Sequence, residues 1–337
     1  VPGMIDYVAG VVYTDEYSVH RKDITALVPD AATKPFYPVF GKRESLKRFD
    51  RYLPKETVSF SVDAGFDLTE LYRFVIDTIK ALGPKGDEIL QKWAAVQAQG
   101  GIDVQKEILS VIHGEAISAT LEGNAWLMMM RVNDEEIART KLASALQFLA
   151  AEMPKLAQQN PMLAMFMLRV EPCTHEKLGG FHTVAFGMHP PMVCGVRDGY
   201  VMLGSSAHVV SLALATAAGE HPSVRQNETV MADAIRPTGK FRSISYTDKR
   251  SMGKDLATLA GAVSMGAGMG ASFLPDEEAR QMLMKVIGIV GKLSPVLQKI
   301  NFYKSTSASC TFDGTAWHSH SVTNYRAPSK TANPEDI

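Results

Sequence analysis

The fold is decided by two stretches that align without gaps, SATLEGNAW at residues 118–126 and SCTFDGTAW at residues 309–317. Five of the nine positions are identical, and each stretch places Glu-Gly or Asp-Gly between two β-prone segments. Glycine supplies the positive φ that a tight hairpin turn needs. The two stretches therefore predict two β-hairpins, with Trp126 and Trp317 packing at matching positions.

Each predicted hairpin follows a strand and a helical stretch. Residues 57–62 and residues 241–246 have the alternation of apolar and polar side chains that is typical of a strand. In the first copy, Asp67 and Glu70 form a capping box ahead of an apolar helical stripe. In the second copy, an acidic stretch opens a helix that we expect to end before Pro295.

The unit of strand, helices and hairpin thus occurs twice. We predict that residues 53–132 and residues 236–323 share one fold. Cys310 takes the place of Ala119 in this alignment. Because a small residue suffices at that position, we expect the thiol of Cys310 to be buried and inert.

A segment between the two copies fits neither of them. Asn133 with Glu136 predicts the start of a helix that runs through Ala150. Two apolar runs at residues 192–203 flank an Asp-Gly pair, which predicts a third hairpin. Ser206 is interpreted as the N-cap of the next helix, since the sequence around it lacks the second glycine of a nucleophile elbow.

The pattern predicts an α+β protein in which antiparallel sheets carry helices packed on one face, with an internally duplicated strand–helix–hairpin unit. We interpret the polar stretch at residues 219–227 as a linker. The chain is divided into four parts. These are an N-terminal extension (residues 1–45), a first unit with the inserted hairpin and helix (46–226), a second unit (227–326) and a flexible tail (327–337).

Composition excludes several classes of protein. The chain has 337 residues, of which 46% are hydrophobic and 21% charged, and its formal net charge is −1. This balance is that of a globular protein and does not favour a nucleic-acid partner. None of the three cysteines lies in a CxxC pair, which argues against zinc ribbons and thioredoxin-type sites. Cys173 and Cys194 flank the third hairpin and are the one disulfide pairing that the sequence makes plausible.

The sequence begins at Val1 and contains one long uncharged stretch, residues 256–275. We expect any membrane anchor to lie outside this chain. The uncharged stretch is rich in small residues, and a Gly266-xxx-Gly270 spacing would suit helices that pack within a bilayer. Strongly apolar residues are few in it, so a buried helix is the favoured interpretation.

The chain resembles an uncharacterised family of extracytoplasmic proteins common in planctomycetes, known as a domain of unknown function. The resemblance covers most of residues 50–326 and excludes the first 45. It rests on strand starts and turns: Leu53-Pro54, Ile108-Leu109 followed by His113-Gly114-Glu115, and the hairpin of residues 193–203 leading into Ser205-Ser206. The resemblance implies an exported, non-enzymatic protein and carries no catalytic motif.

Two histidines are the weak candidates for a metal site. His318 and His320 alternate along a predicted strand, so both imidazoles point to one face. The sequence offers no third ligand nearby, and the first copy has Leu127 and Met129 at the equivalent positions. We therefore expect no metal and no other cofactor.

Methionine is abundant, with 17 residues in the chain. Methionine adapts to irregular apolar partners, so a methionine-rich segment is a candidate wall for a ligand groove, although an ordinary core is the competing interpretation. The run Met128–Met130 is interpreted as filling both faces of a covered sheet. Four methionines of the middle segment are the candidate ligand-binding residues: Met153, Met162, Met165 and Met167.

From these features we predict a non-enzymatic binding or structural protein of the cell envelope. Its expected location is extracytoplasmic, in the periplasm or at the cell surface. The expected partner is an apolar or lipid-like ligand held between the two units, or an envelope protein. The alternative is a hydrolase whose active site assembles only in space, and two or more ionisable groups converging in a cleft would favour it.

Overall fold

A computed structural model describes residues 3–40, 49–101, 103–159, 168–187, 190–234, 241–271, 276–299 and 301–327. Within these residues, twelve strands form one antiparallel sheet in the order β1-β2-β12-β11-β10-β3-β4-β5-β9-β8-β7-β6. The strands are β1 Ile5–Thr14, β2 Ser18–Leu27, β3 Thr57–Asp63, β4 Ile112–Leu121, β5 Trp126–Val132, β6 Leu168–Pro172, β7 His182–Phe186, β8 Met192–Arg197, β9 Tyr200–Gly204, β10 Ser243–Asp248, β11 Tyr303–Phe312 and β12 Ala316–Tyr325.

The helices connect and cover these strands. In the described part of the chain they are α1 Leu68–Lys80, α2 Pro84–Gly100, α3 Glu135–Gln159, α4 Ala207–Ala218, α5 Glu228–Asp233, α6 Met252–Ala271 and α7 Glu277–Gln298. A π-helical turn, Val104–Leu109, joins α2 to β4. The α+β class predicted from the sequence is confirmed.

The order strand, two helices, two strands occurs twice along the chain. It comprises β3 to β5 and again β10 to β12. The two leading strands, β3 and β10, are antiparallel neighbours at the middle of the sheet, with Val62 paired to Ile244. Each set of three strands therefore extends outward from this central pair.

One face of the sheet carries the main core and is called the core face here. Pairing places Val62, Ile117, Met129 and Met202 side by side on it. Helix α4 covers this face with Val209, Val210 and Ala213, and all of these side chains belong to one buried cluster. Full burial of each such aliphatic side chain contributes about 1.5–3 kcal/mol, which makes this the main stabilising layer.

Helix α3 covers the opposite face, which we call the groove face. Ala138 and Leu146 of α3 are buried against strands β7 and β8, with Val184 and Val196 among their partners. The expectation that helices pack on one face is therefore wrong. A β-strand directs alternate side chains to opposite sides, and both sides of this sheet carry apolar residues that need cover.

Several local expectations are confirmed by hydrogen bonds. The Asp67 side chain accepts from the amides of Thr69 and Glu70 at the start of α1. Ser206 caps α4 by accepting from the Val209 amide. The third hairpin turns at residues 198–199, where both φ values are positive.

Other local expectations are wrong. Helix α3 is capped by Asp134 rather than by Asn133, and it runs past Ala150. Helix α7 includes Pro295, which removes one backbone hydrogen bond, and the helix ends three residues later. The stretch at residues 219–227 is packed, not a linker, since Val224 is buried there.

The proposed Cys173–Cys194 disulfide is also wrong, and the three thiols are free. Cys173 packs against the cluster on the core face, whereas Cys194 packs under α3 on the groove face. The sheet itself therefore lies between the two sulfur atoms. Cys310 is half-buried, and burial raises the pKa of its thiol.

The two aligned hairpins differ by one residue in register. Trp317 lies opposite Phe312, whereas Trp126 lies opposite Thr120 instead of the aligned Leu121. Gly123 and its neighbour Asn124 both have positive φ in the first turn, while Gly314 alone does so in the second. Trp317 packs against Phe40 and Phe312, whereas Trp126 lies opposite Thr120, so the two tryptophans have different surroundings.

The N-terminal hairpin β1–β2 continues the sheet beyond β12. Met4 and Leu27 form a second buried cluster with Phe40, and Trp317 packs against this cluster. Among the described residues, no helix has both the length and the apolar character that crossing a membrane requires.

Candidate functional site

The groove face contains an open apolar groove of about 540 Å³. It lies between strands β3, β4, β5 and β9 on one side and the π-helical turn and α3 on the other. This volume falls within the range of about 300–1,000 Å³ that is common for small-molecule sites. Apolar side chains dominate the lining: Ile108, Val111, Ile112, Ala116, Met128, Met130, Val132, Ala138, Leu142, Ala145, Val201 and Leu203.

Two methionines form the floor of the groove. Met128 and Met130 alternate on β5, so both point to the groove face, and they are 53% and 37% exposed. Met129 between them is buried on the core face, so the run supplies side chains to both faces, but the expectation that both faces are covered is wrong at Met128 and Met130. Two neighbouring long apolar side chains that are left open to water form a surface that an apolar ligand would bury.

The walls come from helical elements. Helix α3 contributes Leu142 and Ala145 to one wall, and the π-helical turn contributes Ile108 to the other. Lys141 of α3 forms an ion pair at 3.0 Å with Glu107 of the turn, which connects the two walls. This pair is part-exposed, so it adds little to stability, but it provides charged groups at an otherwise apolar site.

A few polar groups lie at the side of β3 and β4. Ser61 and Ser118 are directly paired across these strands and both line the groove. Asp63 lines it as well, and its carboxylate accepts a hydrogen bond from the Gly65 amide. An apolar cavity with a few hydroxyl and carboxylate groups at one side suits an amphipathic ligand, whose polar group would lie at β3.

The methionines chosen from the sequence are not the ones that form this groove. Met153 lies on α3, and the burial of its side chain is not among the described features. Met162, Met165 and Met167 lie outside the described residues. The alternation of Met128 and Met130 on a predicted strand was the available signal, because it places two long apolar side chains on one face.

His318 and His320 both lie on β12, but they have different partners. His318 contacts the Asp313 carboxylate at 2.9 Å, and His320 approaches the His20 ring at 3.4 Å between nitrogens. His20 also contacts Asp15 at 3.0 Å. Within the described residues, no three histidine, cysteine or acidic side chains come together as a metal-ligand set.

A second, polar cleft lies at the end of α4. His221 lines it and contacts the Glu56 carboxylate at 2.9 Å. Asp50 also lines the cleft and is paired with Arg225. This cleft brings together ionisable groups that are far apart in the sequence, which sequence analysis alone had no means to detect.

Comparison of the chain with protein-family models, with curated protein sequences and with solved structures gives no match. We therefore derive the role of each site from its own geometry.

Proposed function

We propose that this chain is a non-enzymatic binding protein that holds an apolar or lipid-like ligand in the groove between its sheet and α3. The observation that carries the proposal is the pair of part-exposed methionines, Met128 and Met130, on the floor of an apolar groove. Covering apolar surface contributes about 25 cal/mol per Å², so a ligand that fills the groove gains affinity mainly from this floor.

The polar groups of the groove support a ligand with one polar end. Ser61 and Ser118 offer hydroxyls, and Lys141, which is paired with Glu107, offers N–H donors on the opposite wall. A fatty acid or a similar single-chain amphiphile combines an apolar chain with one acidic group, and it matches this arrangement. In the wider proposal, the protein acts in the cell envelope, outside the cytoplasm, as the resemblance to the planctomycete family implies.

The test replaces Met128 with Glu and measures the binding of a fluorescent fatty acid by titration. Met128→Glu places a charge on the groove floor, and we expect at least about a tenfold weaker affinity, because an unpaired charge at an apolar site costs more than 1.4 kcal/mol. Met284→Glu is the matched control, since Met284 is 52% exposed on α7, away from the groove.

Both variants must unfold at the temperature of the unmodified protein. Equal probe affinity for Met128→Glu, Met284→Glu and the unmodified chain would refute the groove as the binding site. A selective loss in Met128→Glu supports it.

The second candidate function is a hydrolase centred on the polar cleft at α4. The pairing of His221 with Glu56 favours this candidate, because a carboxylate that orients an imidazole is a common element of general-base catalysis. Screening of ester substrates with the unmodified protein and with His221→Gln tests it. Turnover that disappears in His221→Gln would replace the binding proposal.

We also propose that the two strand–helix–hairpin units arose by duplication. The shared order of elements and the central pairing of β3 with β10 support this origin. An experimental structure in which residues 57–132 and 243–325 superpose in backbone trace would support the duplication, and unrelated helix placements would contradict it.

A further inference from the structure

Helix α7 carries two apolar rows instead of one. Leu283, Ile287 and Val290 follow one another at helical spacing and are half-buried, and α6 and α7 pack mainly against each other. A second row occupies the neighbouring face of the same helix: Met282, Val286, Ile289 and Val296. The four side chains of this second row, called the outer stripe here, are between 49% and 71% exposed.

The spacing of the outer stripe is that of a helix that docks on a surface. Its members are separated by four, three and seven residues, so they form one continuous line along α7. A helix needs one apolar row to pack in a hairpin with a single neighbour. The packing of α6 on α7 leaves the outer stripe at least about half exposed, so this surface is available to a further partner.

Charge identifies the chemistry of that partner. Lys285, Lys292 and Lys299 are exposed and repeat every seven residues, which places them along the edge of the outer stripe that points away from α6. From Ala279 to Lys299 the sequence contains four basic residues and no acidic residue. The acidic residues of the helix, Glu277 and Glu278, lie at its first turn.

A second copy of the chain is less suited to this surface. If two copies of α7 packed antiparallel about Ile289, Lys285 of one copy would face Lys292 of the other at the centre of the contact. Only the ends would bring Lys299 near Glu278. Like charges at the centre of a contact oppose association.

We propose that the outer stripe and the lysine row of α7 form a docking surface for an anionic lipid bilayer. An apolar stripe bordered by lysines is the pattern of a helix that lies in the plane of a membrane interface. The apolar side chains enter the boundary between headgroups and acyl chains. The lysines extend their methylene stems along this boundary, and their ammonium groups contact the anionic headgroups.

Helix α2 is a poorer docking surface than α7. Ile89, Trp93 and Val96 also form an exposed apolar line at helical spacing. In α2, however, Lys92 is paired with Glu88 at 2.7 Å, and the negative charge of Asp87 balances that of Lys85. The net attraction of α2 to anionic headgroups is therefore small.

The test measures co-sedimentation of the full chain with vesicles. Vesicles of phosphatidylcholine mixed with phosphatidylglycerol are compared with vesicles of phosphatidylcholine alone. We expect the unmodified protein to bind the anionic vesicles more strongly, and to lose binding as salt is added. The triple variant Lys285→Gln, Lys292→Gln, Lys299→Gln should partition roughly a hundredfold more weakly, since each lysine near an anionic bilayer contributes about fivefold.

The matched control is the triple variant Lys34→Gln, Lys80→Gln, Lys106→Gln. It removes the same charge from three lysines that pair with aspartates elsewhere on the surface. This control should bind anionic vesicles as the unmodified chain does. Equal loss of binding in both triple variants would mean that net charge alone drives binding, which would overturn the proposal.

The apolar part of the docking surface is tested with the double variant Val286→Gln, Ile289→Gln. The double variant Val8→Gln, Val12→Gln is its control. Val8 and Val12 are even more exposed than Val286 and Ile289, but they lie on β1. Only the α7 double variant should lose vesicle binding, with unchanged thermal unfolding. A dimer that dissociates in this variant while vesicle binding stays unchanged would overturn the proposal in favour of a second copy.

The docking surface does not depend on the ligand groove. Met128→Glu should leave vesicle binding unchanged, and the triple lysine variant of α7 should leave fatty-acid binding unchanged. Failure of one proposal is therefore distinguishable from failure of the other. Absence of any binding of the unmodified chain to anionic vesicles would refute the docking surface alone.

Discussion

Tyr200 donates its hydroxyl to the buried carboxylate of Glu115 at 2.9 Å. Arg131 contacts the other oxygen of the same carboxylate at 3.3 Å. Burial, and then the negative charge of Glu115, raise the pKa of Tyr200 well above its usual range. Tyr200 therefore stays neutral and keeps donating, and the three residues tie β9, β4 and β5 together at the edge of the core.

Removal of this hydroxyl should destabilise the fold. We expect Tyr200→Phe to lower the free energy of unfolding by about 1–3 kcal/mol, because the carboxylate of Glu115 loses a partner inside the protein. Denaturant titration measures the change. Tyr7→Phe on the exposed strand β1 is the control, and the hydrogen bond carries no net stability if both variants unfold alike.

Phe181 lies so close to Gly195 that any larger residue at this position should destabilise the fold. A β-carbon at Gly195 would overlap the ring of Phe181, which is itself buried. We expect Gly195→Ala to lower the free energy of unfolding by about 1–3 kcal/mol, since the ring has little room to move. Gly179→Ala is the control, because a β-carbon there has open space around it. A Gly195→Ala protein as stable as the control would contradict the packing.

His320 should make the fold sensitive to mild acid. Burial, followed by the nearby charges of Lys22 and His20, lowers the pKa of His320. The unfolded chain then takes up a proton at a higher pH than the folded chain, so stability is lost as pH falls below about 6.5.

The measurement is the melting temperature at about pH 7 and at about pH 5. The melting temperature of His320→Asn should fall less between these two pH values than that of the unmodified protein. The asparagine side chain takes up no proton at this position. His208→Asn, on the exposed side of α4, is the control. An unchanged drop in His320→Asn would exclude this residue as the source of acid sensitivity.

Cys194 should resist alkylation in the folded protein. Its burial under α3 raises the pKa of the thiol to about 11. The thiolate is the reactive form, so iodoacetamide should modify Cys194 slowly at about pH 8, and faster in denaturant. Mass spectrometry of the peptides measures the rate. Labelling at equal rates in folded and unfolded protein would contradict the placement of Cys194.

The local elements were predictable because their signals are short. Asp67 and Ser206 cap helices with side-chain oxygens that lie within three residues of the amides they bind. The turn at residues 198–199 needs positive φ at both positions, and Asp-Gly tolerates it. Such interactions depend on neighbours in sequence, so a sequence pattern indicates them, although it placed the N-cap of α3 one residue too early.

The groove could be predicted only in part. Met128 and Met130 are brought to one face by the two-residue period of a strand, which the sequence contains. The partners opposite them, Ile108 and Leu142, come from the π-helical turn and α3. Their approach depends on how helices pack on the sheet, and no spacing along the chain specifies that distance.

The sequence by itself determined the elements of this protein: the hairpins at Gly123, Gly199 and Gly314, the capped helices, and the row of lysines along α7. Only the tertiary structure decided which faces these elements cover. It separated Cys173 from Cys194 by a sheet, it gave Trp126 and Trp317 different partners, and it left the outer stripe of α7 exposed. The physical reason is that a strand or a helix can satisfy its backbone hydrogen bonds in many registers. The choice among them is made by long-range burial, where a shift of one residue moves every side chain to the other side.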